Sequence, residues 1–184
     1  MRVIGGKLRG RKLSPIKGST IRPTADRLRE SIFNIIATRV TDAAVLDLFA
    51  GTGAYGIEAM SRGARSAVFI DVSQTAISVI TRNLKLCRLE AQSQVIRGDV
   101  STGLRCLSVL DPSFDLVFMD PPYNRNFVAD SLEHVQIYPI LSSGNRLVVE
   151  HSPLEPLPSS LINFILLDQR HYGKSLVSIL KYVL

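Results

Sequence analysis

Two stretches of the chain carry residues whose types and spacing could do chemistry. The first is Asp120-Pro121-Pro122-Tyr123, which follows the apolar run Phe114 to Met119. Two prolines fix an extended turn and remove two N–H donors, so the carbonyls and the Asp120 side chain project as acceptors only. Such acceptors can grip an exocyclic amine by its hydrogens and steer its lone pair toward an electrophile, with Tyr123 as a flat face for an unstacked base. A rigid turn with a packed tyrosine is the plainer reading, and four residues alone are weak evidence.

The second stretch is Val45 to Gly56, an apolar run that ends in Asp47-Leu-Phe49-Ala-Gly51-Thr-Gly53-Ala-Tyr-Gly56. Gly51 and Gly53 permit a tight turn and close approach of a ligand, and a helix starting there points unpaired N–H groups and a positive dipole end at it. The spacing Gly-x-Gly-x-x-Gly, with Asp71 twenty residues after Gly51, also satisfies the dinucleotide fingerprint. A nicotinamide enzyme and a nucleoside-cofactor enzyme are both open at this point. Asp47 tilts the choice, because a carboxylate there suits a cationic sulfonium with an amino-acid tail better than a pyrophosphate.

These residues need elements to hold them. Alternating apolar runs predict parallel strands at 44–49, 67–72, 94–97, 114–119 and 146–150, with helices at about 53–62, 75–87, 100–109 and 127–141. Asp71 then ends the second strand, where it can accept ribose hydroxyls, with Val72 against the adenine. Asp99 follows the third, within reach of the adenine amine, although it could simply cap a helix. With Asp47 they make three acids at the carboxyl ends of neighbouring strands, where open α/β sheets bind ligands. A last pair of runs, 163–172 and 176–182, reads as an antiparallel hairpin.

The N-terminal segment is different in charge. Of 22 Lys and Arg residues nine lie in the first 30 positions, against two of the 16 acids. Arg2 to Leu13 alternates apolar and basic residues around glycines, which predicts a short hairpin with a cationic face. A basic segment on a nearly neutral body is the footprint of phosphate-backbone contact, and Lys7, Arg9, Arg11, Lys12, Arg22 and Arg29 are the candidate nucleic-acid-binding residues. A solvated tail is the alternative. A helix follows, with Thr24 as its expected N-cap and Leu28, Ile32, Ile35 and Ile36 at helical spacing. Its opposite face would carry Arg22, Asp26, Arg29 and Glu30.

At 184 residues and 46% apolar, one soluble domain body is expected, divided as an arm, 1–22, and a body, 23–184. No apolar run reaches the roughly 20 residues that span a bilayer, and no signal-type h-region follows the basic start, so a cytoplasmic protein is expected. Cys87 and Cys106 lack metal-ligand spacing, and His134, His151 and His171 have no ligating partners, so no metal is expected. His151 is expected to be a surface or hydrogen-bonded residue.

The pattern acid-x-Phe-x-Gly-x-Gly resembles motif I of the S-adenosylmethionine-dependent methyltransferases. The ordered set Gly5-Gly-Lys-Leu-Arg-Gly-Arg-Lys-Leu13, Arg22-Pro-Thr-x-Asp-Arg-x-Arg-Glu-Ser-x-Phe-Asn34, Asp47 to Ala64, Asp120-Pro-Pro-Tyr123 and Tyr172-Gly-Lys174 is similar to the RsmD family across essentially the whole chain. Tyr55 and Asp71 stand where that family more often has a smaller aliphatic residue and Glu. The resemblance implies an α/β, Rossmann-like class I methyltransferase fold: a seven-stranded, mostly parallel sheet with a C-terminal antiparallel hairpin and a basic N-terminal β-hairpin extension. It implies S-adenosyl-L-methionine as cofactor, held by Asp47, Phe49, Gly51, Gly53, Asp71, Val72 and Asp99, and Asp120, Pro121, Pro122 and Tyr123 as catalytic residues. It further implies the N2 amine of a guanine in 16S rRNA as target, with the small ribosomal subunit or an assembly intermediate as partner of a monomeric enzyme. The competing readings are an amino-methyltransferase acting on DNA adenine or cytosine or on protein glutamine, a nicotinamide oxidoreductase, and a non-catalytic RNA-binding assembly factor.

Overall fold

The computed structural model describes residues 1–16, 23–107, 113–138 and 140–184. Seven strands form one sheet: β1 (Ala44–Leu48), β2 (Ser66–Asp71), β3 (Ser93–Arg97), β4 (Phe114–Met119), β5 (Leu141–His151), β6 (Phe164–Tyr172) and β7 (Ser175–Tyr182). Their order is β3-β2-β1-β4-β5-β7-β6, parallel through β5, with β7 antiparallel to both neighbours. The order reverses between β1 and β4, so a crevice opens beyond their carboxyl ends, and that is where the glycine turn and Asp120 lie.

Both faces of the sheet are covered. Along β1 the residues alternate between two cores: Val45 packs with Phe33, Ile57 and Phe118, whereas Leu46 and Leu48 pack with Leu132, Val149 and Leu180. The first face is covered by α1 (Pro23–Ile35), α2 (Ala54–Ser61) and α3 (Gln74–Cys87), the second by α4 (Phe127–Ile137). Period-two alternation with both sides apolar is why these strands read as near-continuous hydrophobic runs.

Several expected boundaries shift. Helix α1 begins at Pro23, so Thr24 lies within it and does not cap it; proline suits a first helical position because its missing N–H has no partner there anyway. The helix expected over 100–109 is two short 3-10 turns, Val100–Thr102 and Arg105–Leu107, parted by Gly103 at φ 123°; its last two residues lie outside the described set. Helix α4 stops at Ile137, and β5 starts as early as Leu141, which pairs with Phe114 across an irregularity in register.

The N-terminal hairpin is also different. It is a minimal one: an antiparallel bridge, Arg2 to Lys12, flanked by Val3 N–H donating to the Arg11 carbonyl and Leu13 N–H to the Met1 carbonyl, closes a hairpin around a 3-10 turn at Gly6–Leu8. The loop is tied to the body. Ile4 and Gly5 N–H both donate to the buried Glu58 carboxylate at 2.8 Å, Leu8 N–H donates to Ser61 Oγ, and Val3 and Leu13 are buried in the core. Gly6 explains the double glycine of the motif: at φ 72°, a Cβ there would fall 1.9 Å from the Ser61 carbonyl oxygen. The hairpin is thus held both by its own backbone hydrogen bonds and by docking onto α2.

Candidate active site

The glycine turn is built as a seat for a ligand. After β1, Phe49, Gly51 and Gly53 all take positive φ, and the turn closes with Gly53 N–H donating to the Ala50 carbonyl at 2.7 Å. A Cβ on Gly51 would meet nothing nearer than the Phe49 carbonyl oxygen at 3.9 Å, so space is open above the turn for a close-approaching group. Gly56 serves packing instead: a Cβ there would fall 2.3 Å from Phe69 Cε1, so it lets α2 lie against β2.

Three acids set the local field. Asp47 is 2% exposed and accepts the Gly56 N–H at 2.9 Å, in the first turn of α2. Burial, offset in part by that hydrogen bond and reinforced by Asp71, raises its pKa from 3.8 to about 8. Asp71 accepts the Gly51 N–H on one oxygen and the Ser73 N–H on the other, each at 2.8 Å, which couples the glycine turn to the start of α3. Beside it Val72 is 56% exposed, an open apolar surface of the kind a ring would cover. Asp99 is exposed and caps the turn after β3 through Ser101, so the capping alternative is realised there and the carboxylate also remains accessible.

Asp47 gives a pH prediction. The folded protein holds a proton that the unfolded chain gives up at a carboxyl pKa of 3.8, so unfolding free energy should fall as pH rises between about 4 and 8. Asp47→Asn should flatten that fall. Urea midpoints of both proteins from pH 5 to 9 check it, and equal slopes would refute the burial argument.

On the other side of the crevice, Asp120 leaves β4 directly after Met119, which pairs with Leu48 of β1 and Val149 of β5. A cavity of about 190 Å³ begins at the glycine turn and is walled by Gly51, Thr52, Tyr55, Asp120 and Glu150. Burial, then Glu150, then Asp47 push the Asp120 carboxyl well above the ordinary range. Pro121 is buried and Pro122 exposed. Tyr123 is half-buried, its hydroxyl lying 2.7 Å from Glu150 Oε1 and 2.6 Å from Ser175 Oγ, so the ring is fixed. Phe49 stacks on Phe127 at 6.0 Å between centroids, joining the glycine turn to the start of α4.

The structure thus brings Asp120, Phe49 and Gly51 to one cavity and leaves Asp71, Val72 and Asp99 along the open edge beside it. Arg29 is corrected. It was expected on an RNA-facing surface but is 3% exposed, paired with Asp26 at 3.1 Å and Glu58 at 3.6 Å, and it donates to the Arg2 carbonyl. A helix presents one polar stripe to solvent, and the N-terminal loop covers this one. Lys7, Arg9, Arg11 and Lys12 are exposed, and Arg22 lies outside the described residues.

Three residues escaped the sequence reading. Glu150 ends β5 as Asp47 and Asp71 end their strands, and the same signal could have found it. Tyr55 stacks on Phe118 and donates to Glu150 Oε2 at 2.8 Å. Glu155, buried in the proline-rich loop, accepts the Asn124 N–H at 2.6 Å and pins the chain after Tyr123. His151 is buried, its ring nitrogens within hydrogen-bond distance of the Ser152 and Glu155 carbonyls and the Ser178 hydroxyl.

A family model described as conserved hypothetical protein 95 matches residues 1–181. The chain belongs to the RsmD family. The Escherichia coli (strain K12) protein named ribosomal RNA small subunit methyltransferase D is 32% identical over 174 residues, 95% of this chain and 86% of that one. YlbH of Bacillus subtilis (strain 168), provisionally named an rRNA methyltransferase, is 36% identical over 181 residues, 98% of each chain. Among solved structures, yhhF from E. coli, provisionally described as a methyltransferase, superposes with a TM-score of 0.85 at 30% identity, covering 100% of this chain and 98% of that one. The RsmD-family fold is therefore the class I methyltransferase sheet, with the motif residues above at its carboxyl edge. Among the described residues no helix is long and apolar enough to cross a membrane.

Proposed function

We propose that this RsmD-family methyltransferase modifies the exocyclic N2 amine of a guanine in 16S rRNA, within the small subunit or an assembly intermediate, as a monomer. The observation that carries the reading is the Asp120 carboxylate in the wall of the cavity that opens at the Gly51 turn. The small-subunit rRNA methyltransferase of E. coli, related along nearly the whole chain, supports the substrate class.

S-adenosylmethionine supplies an electrophilic methyl on a cationic sulfur, which leaves that sulfur as the amine nitrogen bonds to it. The residues present fit such a group: open space over Gly51, exposed Val72 beside Asp71, and acids whose proton affinity is raised by burial first and by neighbouring carboxylates second. A cation entering beside them stabilises the ionised carboxylates. Asp47 orders the first turn of α2 and Asp71 holds the glycine turn; Asp71 would accept the ribose hydroxyls and Asp99 would reach the adenine amine. Asp120 and the Pro121 carbonyl hold the two amine hydrogens, which aims the nitrogen lone pair away from the ring plane. Burial favours the protonated form of Asp120 in the empty site; with a cationic cofactor beside it the carboxylate would be ionised and free to take the proton released when the amine becomes cationic. Tyr123 supplies the wall against which the base lies. The rate gain comes mainly from positioning, for which roughly 7–11 kcal/mol is available.

In this reading residues 1–22 are the RNA-facing segment and 23–184 the catalytic body. Charge reversal at Arg9, Arg11 and Lys12, all exposed, should weaken RNA binding and lower the slope of log K against log salt by about 2 for three lost single-strand phosphate contacts. Filter binding across a salt series measures both. Unchanged affinity and slope would remove the arm from the RNA interface.

A further inference from the structure

We propose that Glu150 selects the base, its carboxylate accepting the N1–H of the guanine whose N2 amine Asp120 holds. This rests on the reading of the cavity as the seat of the target base.

The geometry begins with register. Met119 and Val149 are paired on adjacent parallel strands, so Asp120 and Glu150 occupy corresponding positions one residue further on. Parallel neighbours lie about 4.8 Å apart, and both side chains line the same cavity. Glu150 is fixed from two sides: Tyr55 Oη donates to Oε2 at 2.8 Å and Tyr123 Oη to Oε1 at 2.7 Å. A carboxylate oxygen has two acceptor sites, so one on each oxygen is left for a ligand. Two acidic acceptors therefore stand side by side, followed after Asp120 by a proline pair without N–H groups; Arg29 also lines the cavity.

Among guanine, adenine, cytosine and a glutamine amide, guanine alone presents two adjacent donors, N1–H beside N2–H2. Adenine and cytosine put a ring-nitrogen lone pair beside the amine, and a glutamine amide puts its oxygen there. Against Glu150 each of those lone pairs would face an anion, with the N–H that should satisfy the carboxylate missing. Sites built around a substrate N–H reject analogues lacking it strongly, by about 10⁴ or more in favourable cases.

The test uses small subunits reconstituted with 16S rRNA carrying guanosine or 2-aminopurine at the nucleotide the wild-type protein methylates. 2-Aminopurine keeps the amine, replaces N1–H with a lone pair and lacks the O6 carbonyl, so the part of the preference that belongs to Glu150 is the part its variant removes. The wild-type protein should prefer guanosine by about 100-fold or more in kcat/KM. Glu150→Gln, whose amide can turn an N–H toward that lone pair, should shrink the ratio to below about 10-fold and keep S-adenosylhomocysteine affinity within a few-fold. Equal methylation of both nucleotides by the wild type, an unchanged ratio in the variant, or a folded, cofactor-binding variant inactive on both would overturn the role of Glu150. Absence of any guanine N2 methylation by the wild type would instead overturn the reading on which it rests.

Discussion

Asp120→Ala is expected to lower methyl transfer by about 10³-fold or more while S-adenosylhomocysteine binds within a few-fold of wild type. The carboxylate holds the amine in line and receives its proton, so its loss removes both contributions from the transition state and little from the cofactor's ground state. Folding should not suffer. Asp120 is pressed by burial and by the charges of Glu150 and Asp47, so removing it relieves repulsion in the cofactor-free protein, and the urea midpoint should stay or rise. Single-turnover rates with isothermal binding of the product cofactor measure the split. Equal loss of rate and affinity would show that Asp120 serves the cofactor and not the base.

The second large effect concerns stability. Glu58 is fully buried in α2, where it accepts the Ile4 and Gly5 N–H groups and pairs with Arg62 at 2.8 Å and Arg29 at 3.6 Å. Glu58→Ala leaves the buried Arg29 with Asp26 as its ion-pair partner among the described residues and orphans two amides, and removal of one partner from a buried pair typically costs about 3–5 kcal/mol. Met1 lines the active-site cavity and accepts the Thr52 hydroxyl on its sulfur at 3.2 Å, so release of the N-terminal loop should also raise KM for RNA. Urea denaturation checks the first effect and steady-state kinetics the second. A loss below about 1 kcal/mol would mean that the loop is held elsewhere.

Much of the frame could be read from the chain because two local signals agreed. Runs such as Val45 to Leu48 and Leu116 to Met119 are apolar on both faces, which only a covered parallel sheet requires, and glycines or prolines mark their ends. Acids at strand ends then announced the ligand edge, and Asp47, Asp71 and Asp120 stand there. What escaped depends on distant partners. Arg29 looks like a surface cation because nothing in its neighbourhood reveals a carboxylate 29 residues on, in α2, with the N-terminal loop lying across both. The segment after Asp99 has helical composition, yet Gly103 in a left-handed conformation breaks it into two turns. Glu150 carries the same strand-end signal as Asp47, but its fixing by Tyr55 and Tyr123, and the role of Glu155 in pinning Asn124, come from segments distant in the chain folding back onto them.

The central claim, an aromatic amine of rRNA held by Asp120 against a methyl donor seated over Gly51, is tested most directly by the identity of the product. Small subunits from cells lacking the protein are incubated with it and S-adenosylmethionine carrying a labelled methyl, the RNA is digested, and the nucleosides are resolved by mass spectrometry. The account predicts label in N2-methylguanosine from 16S rRNA and none with Asp120→Ala. Label in adenosine, cytidine or ribosomal protein, or undiminished label with the variant, would contradict it.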